Sequence, residues 1–275
     1  MHLRYALAMT PQTLLSHTDS GALWPVADSS SSPALEMGAA YQQALQVRQL
    51  RIARGEKPRG YKVGFTNRGL WPVYNVFAPI WGTVYESTLS FCDGHGELSL
   101  ARICQPRIEP EAVFGLRAAP PPDCDLTALF DSIEWMAPGF EVVQSHQADW
   151  KFKAPDTVLD GGLHARLLVG RQQPVREVAA DAVRLERQLA RAAVTLTRDG
   201  DAIDQGSGAN VLDGPLHALL HFVRELHACP GAPSLQAGDV ITTGTWTNAW
   251  PVAPGETWTA RFDSPLPPLE VRFVA

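Results

Sequence analysis

No two of the four cysteines, Cys92, Cys104, Cys124 and Cys229, stand as a C-x-x-C pair. Thiols scattered in this way fit reduced, buried side chains in a cytoplasmic protein better than a disulfide framework or a zinc site. A Lys/Arg cluster is also missing. With 23 basic against 29 acidic residues and a formal charge of -6, the chain offers no concentrated basic face, so no nucleic-acid partner is expected. No hydrophobic run approaches the length of a membrane span, and none is expected to enter a bilayer. The N-terminal MHLRYALAMTPQTLL is interrupted by Arg4 and Pro11 and makes no convincing signal peptide. There is no internal repeat, and the only low-complexity stretch is the serine run at 29–32, which with Asp28 reads as a linker. What is present is an ordinary globular composition, 45% hydrophobic and 19% charged, in a chain long enough for one large domain or one domain with an appendage.

The N-terminal part has helical punctuation. Thr10-Pro11 predicts a cap and first helical residue, with a stop near Gly21. Ser32-Pro33 predicts a second helix with Met37, Ala40, Tyr41, Ala44 and Leu45 on one stripe and a stop at Gly55. From Gly60 the period changes to two: Tyr61, Val63 and Phe65 share one face and Lys62 takes the other. Further strands are predicted around 81–85, 98–103, 107–116, 139–143, 239–244, 257–262 and 269–273, with a surface loop at Pro120-Pro121-Pro122 and a helix around 125–136. Asp199-Gly200 predicts a tight hairpin, and Asp213-Gly-Pro215 predicts the cap of a helix whose stripe is Leu216, Leu219, Leu220, Val223 and Leu226. The expectation is an α+β protein, with a helical N-terminal region over 1–58 and a β-rich main domain over 59–275.

The chemistry centres on QPRIEPEAVF at 105–114. Pro106 and Pro110 oppose a helix, and Ile108, Val113 and Phe114 suit a pleated surface. In a strand Glu109 and Glu111 point the same way. Two carboxylates so close repel, and a hard divalent cation with oxygen ligands resolves the repulsion. An edge strand with a wet face shows the same pattern. Glu141, between Phe140 and Val142, also faces away from its strand's apolar side and would complete a facial set of oxygens. Downstream, Trp150 and Phe152 alternate with Lys151 and Lys153, as on a solvated strand face.

Six ordered motifs now stand together: GYKVGFT at 60–66, PRIEPE at 106–111, FEVV at 140–143, DWKFKAPDT at 149–157, GSGANVLDGP at 206–215 and AGDVITTG at 237–244. In order and spacing the chain resembles the metal-dependent 2-oxopent-4-enoate hydratases and 4-oxalocrotonate decarboxylases of the fumarylacetoacetate hydrolase superfamily, from about Gly60 to the C-terminus. The resemblance implies a mixed β-roll core, with Mg²⁺ or Mn²⁺ held by Glu109, Glu111 and Glu141. It implies a small 2-oxo or 2-hydroxy-dienoic acid as substrate and a homo-oligomer as the assembly. Lys62 and Lys153 correspond to the family's site lysines, expected to have lowered pKa values and to serve as acid/base groups or carboxylate clamps. Asp156 would orient a lysine or a water, or cap a turn after Pro155. Thr243, Gly244 and Thr245 are candidates for holding the substrate carboxylate, and Gly206 and Gly208 for close backbone packing.

Departures from the family pattern fall at Ala78-Pro-Ile80-Trp81-Gly82, Gln144-Ser145-His146 and Gly161-Gly162-Leu163-His164. They make His164 a candidate proton-transfer or positioning group, with a surface-loop histidine as the alternative. Trp71, Trp81, Trp246 and Trp250 are candidates for a pocket wall or for the core. The expected function is a lyase, with carbon–carbon hydrolysis of an acylpyruvate, or a non-catalytic partner subunit, as the alternatives.

Overall fold

The structure is a computed structural model that describes residues 9–25 and 35–275. The serine run and the Ser32-Pro33 helix start lie outside the described residues. Two helices come first, α1 (Pro11–Ser20) and α2 (Met37–Ala53). Thr10 caps α1 through its side chain and Gly21 ends it in the left-handed region, as the sequence predicts. There follow β1 (Pro58–Gly64), α3 (Trp71–Tyr74), β2 (Ile80–Tyr85), β3 (Leu89–Phe91), β4 (His95–Ser99), β5 (Arg107–Leu116), α4 (Leu126–Ser132) and β6 (Ile133–Val143). The second half contains α5 (Ala154–Leu159), β7 (His164–Val169), β8 (Gln173–Pro174), α6 (Val175–Val178), α7 (Ala182–Arg191), β9 (Ala193–Arg198) and β10 (Asp201–Ser207). It closes with α8 (Pro215–Ala228), β11 (Val240–Thr242), β12 (Trp250–Pro251), β13 (Thr257–Phe262) and β14 (Leu269–Val274).

These strands form two mixed sheets. The larger runs β2-β1-β11-β5-β6-β7-β3, with β12 added to β5 and β8 to β6; the smaller runs β10-β9-β13-β14-β4. Phe114, Phe140 and Leu168 from the first and Trp258, Leu269 and Phe273 from the second join one buried core, which α8 completes with Leu216, Leu219 and Phe222. Helix α1 packs on α2, and α2 packs on α5 and, through Tyr41 and Leu45, on the main core. Leu14, Trp24 and Ala40 share a smaller core with Ile80, Val158 and Leu159. This is the expected α+β architecture with curled sheets.

Several local expectations change in the fold. The helix expected over 125–136 stops at Ser132, because residues from Ile133 on pair with the ten-residue β5 and ladder hydrogen bonds override local helical preference. The strand expected over 98–103 ends at Ser99, and Arg102 turns back with a positive φ. Residues 149–153 are not a strand: Asp149 and Trp150 both have positive φ, and α5 begins at Ala154. Asp213 does not cap α8. It pairs with Arg68, while Glu186 of α7 accepts the Leu216 N–H at 2.9 Å. The Asp199-Gly200 hairpin forms as expected, with both φ values positive.

Candidate active site

The site grows from one ladder. In the antiparallel pairing of β5 with β6, Glu109 lies directly opposite Glu141, and Glu111, two residues along, shares its face. One carboxylate oxygen from each of the three can be chosen so that all lie within 4.8 Å of one another. Glu111 and Glu141 are fully buried. From β1, Lys62 reaches the same cluster, its Nζ 2.9 Å from Glu141 Oε2.

Two of the three carboxylates, Glu111 and Glu141, are held by partners. Glu111 Oε2 accepts the Gly244 N–H at 2.7 Å, while Oε1 is buried with no hydrogen-bond donor. Gly244 is required there: its φ is +96°, and a Cβ would lie 1.9 Å from Thr66 Oγ1. Glu141 Oε1 accepts from His164 Nδ1 at 2.8 Å. A carboxylate only accepts, so Nδ1 carries the proton. Burial, opposed by Glu141, holds the His164 pKa below its ordinary value. The other ring nitrogen, Nε2, lies within hydrogen-bond distance of the Thr88 hydroxyl, 2.9 Å away.

The charges are strained by burial. Burial raises Glu109 to about 7, with Glu141 adding to the rise and Lys62 and Arg107 opposing it. Burial, then repulsion from Glu141 and Glu109, raises Glu111 well above the carboxylate range. Burial pushes Glu141 up as well, but Lys62 and His164 outweigh it and hold it low. For Lys62, burial pushes the pKa down, yet attraction to Glu141, Glu109 and Glu111 outweighs that and raises it. Three carboxylates against one ammonium, with a buried oxygen left without a donor, fit a hard divalent cation.

A cavity of about 280 Å³ opens beside this cluster, and Lys62, Glu109, Gly244 and Thr245 face it. Apolar walls come from Phe65, Tyr74, Trp150 and Phe152, and neutral polar groups from Asn67, Gln205 and Asn248. Thr243 is buried behind, donating its hydroxyl to Ala112 O at 2.9 Å, and the Thr245 hydroxyl donates to Thr247 O at 3.1 Å.

The structure does not bring every candidate here. The Lys153 side chain is exposed and does not line the cavity. Asp156 accepts the Lys153 N–H at 2.8 Å and so caps α5. His164 is neither a loop residue nor in the cavity wall; it is buried at the start of β7, behind Glu141. Of the tryptophans, Trp246 lines the cavity and Trp81 is core, stacked on Tyr41. The Trp71 and Trp250 indoles are half-buried and donate to Phe65 O and Asp204 Oδ2. Gly206 and Gly208 do serve close packing, since a Cβ at either would strike the carbonyl of Trp246 or Leu189. Thr88 and Asn248 carry no local signal in the sequence, whereas Trp150 stands inside the DWKFKAPDT motif.

Comparison with known proteins decides the family. The chain is 32% identical over 243 residues to the 2-hydroxyhexa-2,4-dienoate hydratase of Comamonas testosteroni, covering 88% of this chain and 86% of that one. The chain belongs to this family of 2-oxo-dienoate hydratases and 4-oxalocrotonate decarboxylases. Among solved structures, the hydratase/decarboxylase fold recurs in the 4-oxalocrotonate decarboxylase from Pseudomonas putida G7 complexed with magnesium and adipate. That match has a TM-score of 0.82 at 26% identity over 97% of this chain and 99% of that one. Fumarylpyruvate hydrolase from Pseudomonas aeruginosa, in complex with Mn²⁺ and pyruvate, has a TM-score of 0.61 at 17% identity over 79% of this chain and 90% of that one. At that identity it shows the shared superfamily fold alone. No family model matches the chain. Among the described residues of this hydratase/decarboxylase homologue, no helix is long and apolar enough to cross a membrane.

Proposed function

We propose that the protein is a divalent-metal-dependent lyase, a hydratase or decarboxylase of a small 2-oxo or 2-hydroxy-dienoic acid in the breakdown of aromatic compounds. It works in the cytoplasm as a homo-oligomer. The observation that carries the reading is the convergence of Glu109, Glu111 and Glu141 beside a buried Lys62 at the edge of a cavity. The hydratase and decarboxylase relatives support the same chemistry.

The three glutamates would hold Mg²⁺ or Mn²⁺. When bound, the ion supplies Lewis-acid stabilisation of negative charge on the substrate's C2 oxygen and carboxylate. The chain's own groups do the rest. Lys62, its ammonium 2.9 Å from Glu141, presents a hydrogen-bond donor and a proton source at the cavity wall. Gly244 and Thr245 close the cavity beside Glu111, where the substrate's acid end would sit. Phe65, Tyr74, Trp150 and Phe152 pack against the carbon skeleton. His164 does not reach substrate; it fixes the Glu141 carboxylate, as outer hydrogen-bond partners fix metal ligands generally. This assignment leaves Lys153 and Asp156 outside the chemistry.

The test is a panel of 2-oxo and 2-hydroxy-dienoic acids with Mg²⁺ or Mn²⁺, followed by the ultraviolet bands of dienol and enone. Loss of absorbance with water addition identifies a hydratase and release of carbon dioxide a decarboxylase. Pyruvate plus a second acid would identify an acylpyruvate hydrolase instead. Silence with every substrate would contradict the enzymatic reading.

A further inference from the structure

We propose that the cavity selects a substrate whose far end is uncharged, a 2-oxo or 2-hydroxy-dienoic monoacid with an alkyl or aryl tail, and that the reaction is therefore water addition. The inference deepens the lyase reading and rests on it.

The acid end of the substrate belongs beside the glutamate cluster, so the remaining wall must receive the tail. Lys62 is the only cationic side chain among the described residues that line the cavity. Its ammonium is already committed to Glu141 at 2.9 Å. The arginines nearby are committed too. The Arg68 guanidinium pairs with Asp213, and that of Arg107 lies over the Trp150 ring at 4.3 Å from its centroid, neither residue lining the cavity. Lys151 and Lys153 flank Phe152 in sequence, but both side chains are exposed and outside the wall.

What faces the tail is aromatic carbon and neutral amide. The charge standing behind one of those amides is negative: Asp204 Oδ2 accepts from the Asn248 backbone N–H at 3.1 Å and from its side-chain amide at 3.0 Å. A second carboxylate at the far end of the substrate would leave water without a cation to meet it, and an anion sits close by. An alkyl or aryl group would lose nothing on entry and gain apolar contact.

The same wall bears on the reaction. A decarboxylation that spares the metal-gripping acid must release a carboxylate from the far end, and a monoacid has none. In the hydration of a 2-hydroxy-2,4-dienoate, the C2 hydroxyl proton leaves as the enol becomes a ketone and C5 gains a proton. Water then adds its oxygen to C4 and a proton goes to C3. No carbon–carbon bond breaks and no redox partner is needed.

The experiment separates tail recognition from turnover. Binding of 2-oxohexanoate and 2-oxohexanedioate to the Mg²⁺-loaded full chain is measured by calorimetry. The two acids have the same length and the same metal-gripping end and differ only in the terminal carboxylate. The expected result is at least tenfold tighter binding of the monoacid. Leu70→Arg, at a wall position that is 42% exposed, should narrow that ratio severalfold by supplying the missing cation. In turnover, the wild type should hydrate a monoacid dienoate and release no carbon dioxide from its diacid counterpart. Equal or tighter binding of the diacid, or efficient decarboxylation, would overturn the proposal and leave the lyase reading intact. Failure of both acids to bind in the presence of Mg²⁺ would overturn the lyase reading and this inference with it.

Discussion

At the scale of single residues, the account turns on buried charge that protein groups only partly neutralise. Glu111→Gln removes one of three mutually repelling carboxylates. The metal-free variant should melt at the same temperature as the wild type or higher, because relieving buried like charges costs no stability. It should lose the Mg²⁺-induced rise in melting temperature that the wild type shows, since a ligand of the folded state raises its stability. Thermal unfolding with and without Mg²⁺ checks both signs together. His164→Ala removes the donor to Glu141 Oε1. Metal affinity should fall roughly 10–100-fold, as when other outer partners of metal ligands are removed, and a metal titration read by calorimetry checks it. The three glutamates were legible in the sequence because period-two alternation fixes which side chains share a face. The role of His164 was only half legible: its presence near the site followed from the motif, but its partner Thr88 comes from a short turn 76 residues away, and no local pattern announces it.

At the scale of elements, the cavity wall depends on how the β9–β10 hairpin is tied to the loop before β12. Asp204 gathers that loop by accepting from Asn248 and the Trp250 indole. Burial pushes its pKa up, but these hydrogen bonds and one from the Gln205 N–H outweigh it and hold the carboxyl below its ordinary value. A depressed folded-state pKa means that the stabilisation is full above the unfolded value of about 3.9 and is lost as pH falls through the folded value. Asp204→Asn should therefore cost about 1–2 kcal/mol at neutral pH. The difference from wild type should shrink in urea denaturation as the pH is lowered below about 4. Elements were well predicted where capping or alternation was strong, as in α1, β5 and the Asp199-Gly200 hairpin. They were misjudged where a distant partner decides: β6 claimed residues 133–136 by pairing with β5, and Glu186, 30 residues upstream of Leu216, displaced Asp213 as the cap of α8.

At the scale of the whole molecule, helices α1 and α2 share a core with residues that stand next to the site. Leu14, Trp24 and Ala40 pack with Ile80, which also lines the cavity, and the Tyr41 hydroxyl accepts the Trp81 N–H at 3.2 Å. Leu14→Ala should cost about 2–4 kcal/mol, as for other buried leucines. It should lower one common unfolding transition, and a separate early transition of the N-terminal helices in calorimetry would contradict that shared core. The β-roll was legible from ordered motifs, whereas the docking of the N-terminal helices was not, because an amphipathic stripe says which face is covered but not by what.

The central claim is that Glu109, Glu111 and Glu141 together hold one divalent cation. Calorimetric titration of Mn²⁺ into metal-stripped protein tests it most directly. The account predicts binding of about one ion per chain, lost when any one of the three is changed to glutamine. Undiminished binding in those variants, or no binding by the wild type, would contradict it.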